Sequence, residues 1–151
     1  MDILKTFISQ FTDEFPYEEI QKINKKYFLI DSKTKKFTNK LDFEDLRSSG
    51  LYLGEEKARK FNASINMLNI LKNKTDKTIK LNEKASWLFI CGRDVFADSI
   101  LERNNAYGTV LVLNKFDEVI GLAKKDKKDK NLFKNFYDIG HLLRRESKKK
   151  R

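Results

Sequence analysis

The stretch from Lys80 to Phe96, KLNEKASWLFICGRDVF, decides the fold. It follows TIKLN (residues 78–82), which reads as a strand. Asn82 then stands where a helix N-cap is wanted and Gly92 where a left-handed residue ends a helix. Between them EKASWLFIC predicts a helix with Ala85, Leu88 and Phe89 on one face, and DVFADSI (94–100) resumes the extended pattern. Further on, GTVLVLN (108–114), a short turn at KFDE and VIGLAKK (119–125) predict a hairpin of two apolar strands, with Gly121 a candidate bulge. KKDKKDKN (124–131) predicts a solvated loop. LFKNFYDIGHLLRRE (132–146) predicts a closing helix or turn that packs Leu142 and Leu143.

Upstream the pattern is mixed α/β. Ile3, Phe7 and Phe11 recur every four residues and predict an amphipathic helix that closes before Pro16; YEEIQKI (17–23) predicts a second short one. KYFLID and KKFTNK read as short strands, LDFEDLRSS (41–49) as a helix, and FNASINMLNIL (61–71) as strand entry followed by a helix. KNKTDK (72–77) holds no apolar residue, and the charge balance changes across it. The boundary is therefore placed between a domain at 1–76 and a domain at 77–151.

The 151 residues, 40% hydrophobic and 12% aromatic, supply enough apolar material for a packed core despite 36% charged content. The formal net charge is +10, and most of it lies in the second half: up to Asp76 there are 14 Lys and Arg against 12 Asp and Glu, afterwards 18 against 10. A concentrated positive field attracts polyanions, nucleic acid foremost, because neutralised phosphates release counterions. No apolar run approaches the ~20 residues of a membrane helix, and the amino-terminal stretch carries acids unlike a signal peptide. The single cysteine, Cys91, excludes an internal disulfide and a CxxC metal knuckle. An intracellular, cytoplasmic protein is expected, with no membrane partner.

Catalysis is not expected. GxSxG, GxxxxGK[ST], HExxH and GxGxxG are all absent. Asp13/Glu14 and Glu18/Glu19 flank a proline at an exposed junction, where desolvation to shift a pKa is not expected. His141, the single histidine, lacks the companions a metal or a general-base role needs, so a structural or base-stacking role is expected, with no cofactor. Cys91 reads as a small buried hydrophobe and Trp87 as core, with a base-stacking platform the competing role.

Taken together, KLNEKASWLFICGRDVFADSI, YGTVLVLN, EVIGLAKK and DIGHLLRRE resemble the PUA domain, a small pseudo-barrel found in RNA-modifying enzymes and ribosome-assembly factors. The resemblance covers residues 78–146. With KFNASINMLNIL just before it, the chain resembles the Nip-seven family of large-ribosomal-subunit biogenesis factors. The resemblance implies an α+β protein: an N-terminal α/β domain followed by a PUA pseudo-barrel of mainly antiparallel strands. It further implies that the second domain binds ribosomal RNA (nucleolar in a eukaryote) while the first holds a pre-ribosomal protein. The alternative is an accessory subunit that docks tRNA for a separate modifying enzyme. A monomer is expected.

The family's basic residues after DIG match Arg144 and Arg145, followed by Lys148 and Arg151. If the turn continues helically, Arg145, Lys148 and Arg151 fall near one another. Guanidinium forks suit phosphate through two parallel hydrogen bonds. Arg93, after Gly92, lies in a loop that in PUA domains borders the RNA surface; pairing with Asp94 or with a helix carbonyl is the competing role. Gly92 is wanted for positive φ, with close approach of a sugar-phosphate chain as a second benefit.

Overall fold

The computed structural model describes residues 2–41, 46–141 and 143–145. The chain divides into two compact units, Met1–Lys74 and Thr75–Arg151. In the first, α1 (Ile3–Ile8) is followed by β1 (Ile20–Ile23), β2 (Lys26–Leu29), α2 (Ser32–Thr38), β3 (Leu51–Lys57), β4 (Lys60–Ala63) and α3 (Ile65–Lys72). The four strands form an antiparallel meander in chain order. Its core is aromatic: the Phe61 ring stands 5.1 Å from Phe7 and 5.6 Å, edge-on, from Tyr27. Such pairs add to the energy of plain area burial.

Two local expectations for this unit are corrected. Tyr17–Glu19 makes a single 3-10 turn, and Ile20–Ile23 is strand. KKFTNK lies mostly in α2 instead of in a strand, because the Asp31 carboxylate accepts the N–H groups of Lys33 and Thr34, both at 2.9 Å. A satisfied N-cap outweighs a weak strand pattern. The helix expected over 41–49 falls in part on residues 42–45, outside the described residues; residues 46–49 are not helical.

The second unit runs β5 (Thr78–Leu81), α4 (Glu83–Ile90), β6 (Val95–Phe96), β7 (Ile100–Asn104), β8 (Thr109–Leu113), β9 (Val119–Lys125) and β10 (Leu132–Asp138). Among the described residues the strand order is β6-β10-β9-β8-β5-β7, antiparallel throughout except for the β5–β8 pair. This curled sheet is the expected pseudo-barrel. Ile79 and Leu81, Val110 and Val112, Ile120, Ala123 and Phe133 of its strands form one buried cluster with Ala85 and Phe89 of α4. Each large side chain so buried contributes about 1.5–3 kcal/mol. Leu111 and Leu122, opposite each other in the β8–β9 hairpin, are buried as well.

The segment expected as a closing helix or turn is mostly β10, a full strand beside β9; among the described residues after it, 141 and 143–145 have helical backbone. Its Phe133 is fully buried while Lys134 is exposed, a half-buried strand's alternation. Leu143 is 70% exposed, not packed, and Leu142 lies outside the described residues. Gly121 adjoins a register shift between β8 and β9, as a bulge position should. Among the described residues, no helix is long and apolar enough to cross a membrane.

Candidate nucleic-acid interface

The candidate site is built around the carboxyl end of α4. Asn82 caps the other end, accepting the Ala85 N–H at 2.8 Å. At Gly92 the chain turns left-handed, with φ at +90°. The Gly92 N–H then donates to the Phe89 carbonyl at 2.9 Å and the Arg93 N–H to the Leu88 carbonyl at 3.0 Å, the paired bonds of a Schellman motif. The expected role of Gly92 is thus met by φ alone. A Cβ placed there would reach only ordinary contact, 3.5 Å from the Arg144 guanidinium carbon.

Two distant side chains complete the helix end. Asn135 of β10 donates its amide to the Phe89 carbonyl at 2.8 Å and to the Arg93 carbonyl at 3.4 Å, while its backbone N–H donates to Asp94 at 2.7 Å. Arg144 donates to the Ile90 carbonyl. The carbonyls a helix leaves orphaned at this end are therefore taken up by protein donors, and the turn carrying Arg93 is fixed from both sides. Gly140 makes this possible: a Cβ there would sit 2.2 Å from the Ile90 oxygen.

Arg144 takes a different role from the one expected of it. Its Nη1 and Nη2 donate to the two carboxylate oxygens of Asp138 at 2.8 and 2.9 Å, beside the bond to Ile90. Asp138 is only 4% exposed at its side chain and Arg144 40%. The pair pushes the Arg144 pKa up, chiefly through the hydrogen bonds to Asp138. A guanidinium held this way positions the turn, and its fork is already filled.

Arg145, next along, is exposed, as is Arg93. Among the described residues neither side chain has a hydrogen-bond or ion-pair partner; Asp94 is engaged by Asn135 instead of by Arg93. The structure thus gathers Gly92, Arg93, Arg144 and, beside it, Arg145 at one end of α4. Lys148 and Arg151 lie outside the described residues. His141 has its Nδ1 3.0 Å from the Asp138 carbonyl and its ring 5.1 Å from Tyr137. Cys91 is exposed rather than buried, and Trp87, at 67% exposure, is surface and not core. Leu88, placed by periodicity on the inner face, is 42% exposed, because Ala85, Ser86 and Phe89 form the buried face of so short a helix. Sequence reasoning missed Asn135, Asp138 and Gly140; the DIG tripeptide was visible, but nothing local marks its aspartate as the partner of an arginine six residues on.

Residues 77–147 match the family model of the UPF0113 PUA domain. The second unit is similar in sequence and in fold to a PUA domain. A UPF0113 protein of Archaeoglobus fulgidus is 31% identical over 110 residues, which cover 65% of this chain and 62% of that protein. The chain thus spans less than two thirds of the length of this curated relative. Among solved structures, a conserved PUA domain protein of Thermoplasma acidophilum has a TM-score of 0.50 at 16% identity, over 62% of this chain and 69% of that one, a likeness of fold. A hypothetical protein of Pyrococcus horikoshii has a TM-score of 0.46 at 12% identity, over 82% of this chain and 77% of that one. PUA domains are in general RNA-binding. These names specify neither an RNA nor a particle.

Proposed function

We propose that this protein is a non-catalytic RNA-binding factor whose PUA domain holds the RNA backbone at the end of α4, through Arg93 and Arg145 with Lys148 and Arg151 beyond them. Arg144 positions this surface and does not itself take phosphate. The observation that carries the reading is the pair of exposed guanidinium groups, without a partner among the described residues, on the two sides of a turn whose backbone is fixed by Asn135 and Arg144. A fixed backbone leaves only side-chain freedom to be lost when such donors meet phosphate, and the planar guanidinium fork limits that loss. Recognition is of backbone and splayed bases, since an A-form helix hides its base edges in a deep, narrow groove.

The RNA in this reading is precursor RNA of the large ribosomal subunit, with the near-neutral first unit holding a protein of the same particle. Support for that finer assignment is the resemblance of KFNASINMLNIL and the following PUA sequence to the Nip-seven family. Crosslinking the protein to RNA in cells and sequencing the attached fragments tests it. Ribosomal fragments are expected. Enrichment of transfer RNA alone would overturn the ribosomal assignment in favour of an accessory role in tRNA modification.

A further inference from the structure

The strongest feature outside the α4 turn is a groove of about 510 Å³ on the β9–β10 hairpin. Five lysines line it: Lys124, Lys125, Lys127, Lys128 and Lys134. Lys124 and Lys134 are directly opposite each other across the two strands, and both are exposed. Like charges at facing positions of an antiparallel pair repel. Asp126 relieves this repulsion at Lys134, while Lys124 has no acidic partner among the described residues; a polyanion lying across the pair would relieve the rest.

The two acids of KKDKKDKN fold the loop and are outnumbered by the lysines around them. Asp126 accepts the Lys128 N–H at 2.9 Å and Asp129 the Asn131 N–H at 2.8 Å, side-chain-to-backbone turns that hold the lysines up. Asp126 also meets Lys134 at 3.2 Å. Among the described residues the other four lysines have no acidic partner. The loop is solvated as expected, and its lysines make a cationic wall of the groove.

An aromatic side chain completes the groove. Phe136 lines it, is 58% exposed, and sits at the register shift between Asn135 and Tyr137, where a bulge leaves one residue outside the ladder. A phenylalanine is conspicuous among lysines. A cationic channel with an aromatic face is how proteins hold single-stranded nucleic acid: phosphates track the charge and a base stacks on the ring. An acidic peptide would use the lysines and leave the ring idle.

We propose that the β9–β10 groove is a second contact for single-stranded RNA, with Lys124 and Lys134 on phosphates and Phe136 under a base. This rests on the RNA-binding reading above and extends it. Asn135, which also lines the groove, fixes the Arg93 turn through its side chain, so one strand of RNA can run from that turn onto the hairpin.

The test is fluorescence anisotropy with a labelled single-stranded oligouridylate and the full chain, over a series of salt concentrations. Lys124→Gln with Lys134→Gln should flatten the slope of log affinity against log salt by about 1.4, since each phosphate contact on a single strand carries about 0.7. Phe136→Ala should weaken binding about 5-fold or more at unchanged slope, and Phe136→Leu should do the same, because it keeps apolar bulk but loses the ring. If these variants bind like wild type while Arg93→Ala and Arg145→Ala weaken binding, the groove is refuted and the PUA reading stands. If wild type binds no RNA, both fall. Displacement of the RNA by polyglutamate at equal charge concentration would assign the groove to acidic protein surfaces and overturn the proposal.

Discussion

Asp138 and Arg144, six residues apart, form a two-pronged ion pair in which the carboxylate is almost wholly buried and the guanidinium also bonds the last carbonyl of α4. One arginine thus joins the end of a strand, the end of a helix and the turn that follows, while its neighbour Arg145 is exposed. In the proposed function the two adjacent arginines divide the work, Arg144 building the surface and Arg145 contacting RNA.

Arg144→Ala should lower stability by about 1–3 kcal/mol, because a buried carboxylate loses its donors. The lower half of that range is expected, since Arg144 is 40% exposed and water can partly replace it. Arg144→Lys should rescue little, as an ammonium cannot span both carboxylate oxygens. Urea unfolding read by circular dichroism checks this; a variant as stable as wild type contradicts the clamp.

The two glycines around the clamp should differ. Gly92→Ala places a side chain at φ +90° but in open contact, costing about 1–2 kcal/mol. Gly140→Ala should cost more than Gly92→Ala, because its Cβ would lie 2.2 Å from a backbone oxygen that cannot swing away. Equal unfolding midpoints for the two variants would contradict the packing described here.

Acid should destabilise the first unit through Glu56. Its Oε1 accepts Lys22 Nζ at 2.7 Å and the Tyr27 hydroxyl, and these bonds hold its pKa below the ordinary 4.5. A carboxylate whose folded pKa is depressed stabilises the fold above its unfolded pKa and loses that contribution as pH falls through the folded value. Unfolding midpoints measured from pH 7 downward should therefore drop below about pH 4.5 in wild type, and drop less in Glu56→Gln. Parallel curves for the two proteins would rule Glu56 out as a contributor.

Phe89→Ala should cost about 3–5 kcal/mol, whereas Trp87→Ala, two residues away on the exposed side, should change stability by no more than about 0.5 kcal/mol. Thermal unfolding of both variants decides whether α4 faces the core as described.

What the sequence made legible was local chemistry. Asn82, Gly92, the GTVLVLN–VIGLAKK hairpin and the strand-to-helix step at FNASINMLNIL each carry their signal within a few residues, and each sits as read. The misses are of two kinds. In α2, a cap at Asp31 decided against a strand pattern whose one large apolar residue, Phe37, is itself exposed, so periodicity had little to work with. At Trp87, Cys91 and Leu143, hydrophobic character was read as burial, but a small domain has too little interior for all its apolar residues. The site was legible in its residue types and not in its roles. Arg144 and Arg145 look alike in sequence, and only the return of β10 to the end of α4 distinguishes the one that is bonded inward.

The central claim, that the PUA domain binds RNA through outward guanidinium groups on a fixed turn, is tested most directly by the salt dependence of oligouridylate binding in wild type and the Arg93→Ala/Arg145→Ala double variant. The slope should flatten by about 1.4 in the double variant while its unfolding midpoint stays that of wild type. An unchanged slope and affinity in a folded double variant would contradict it.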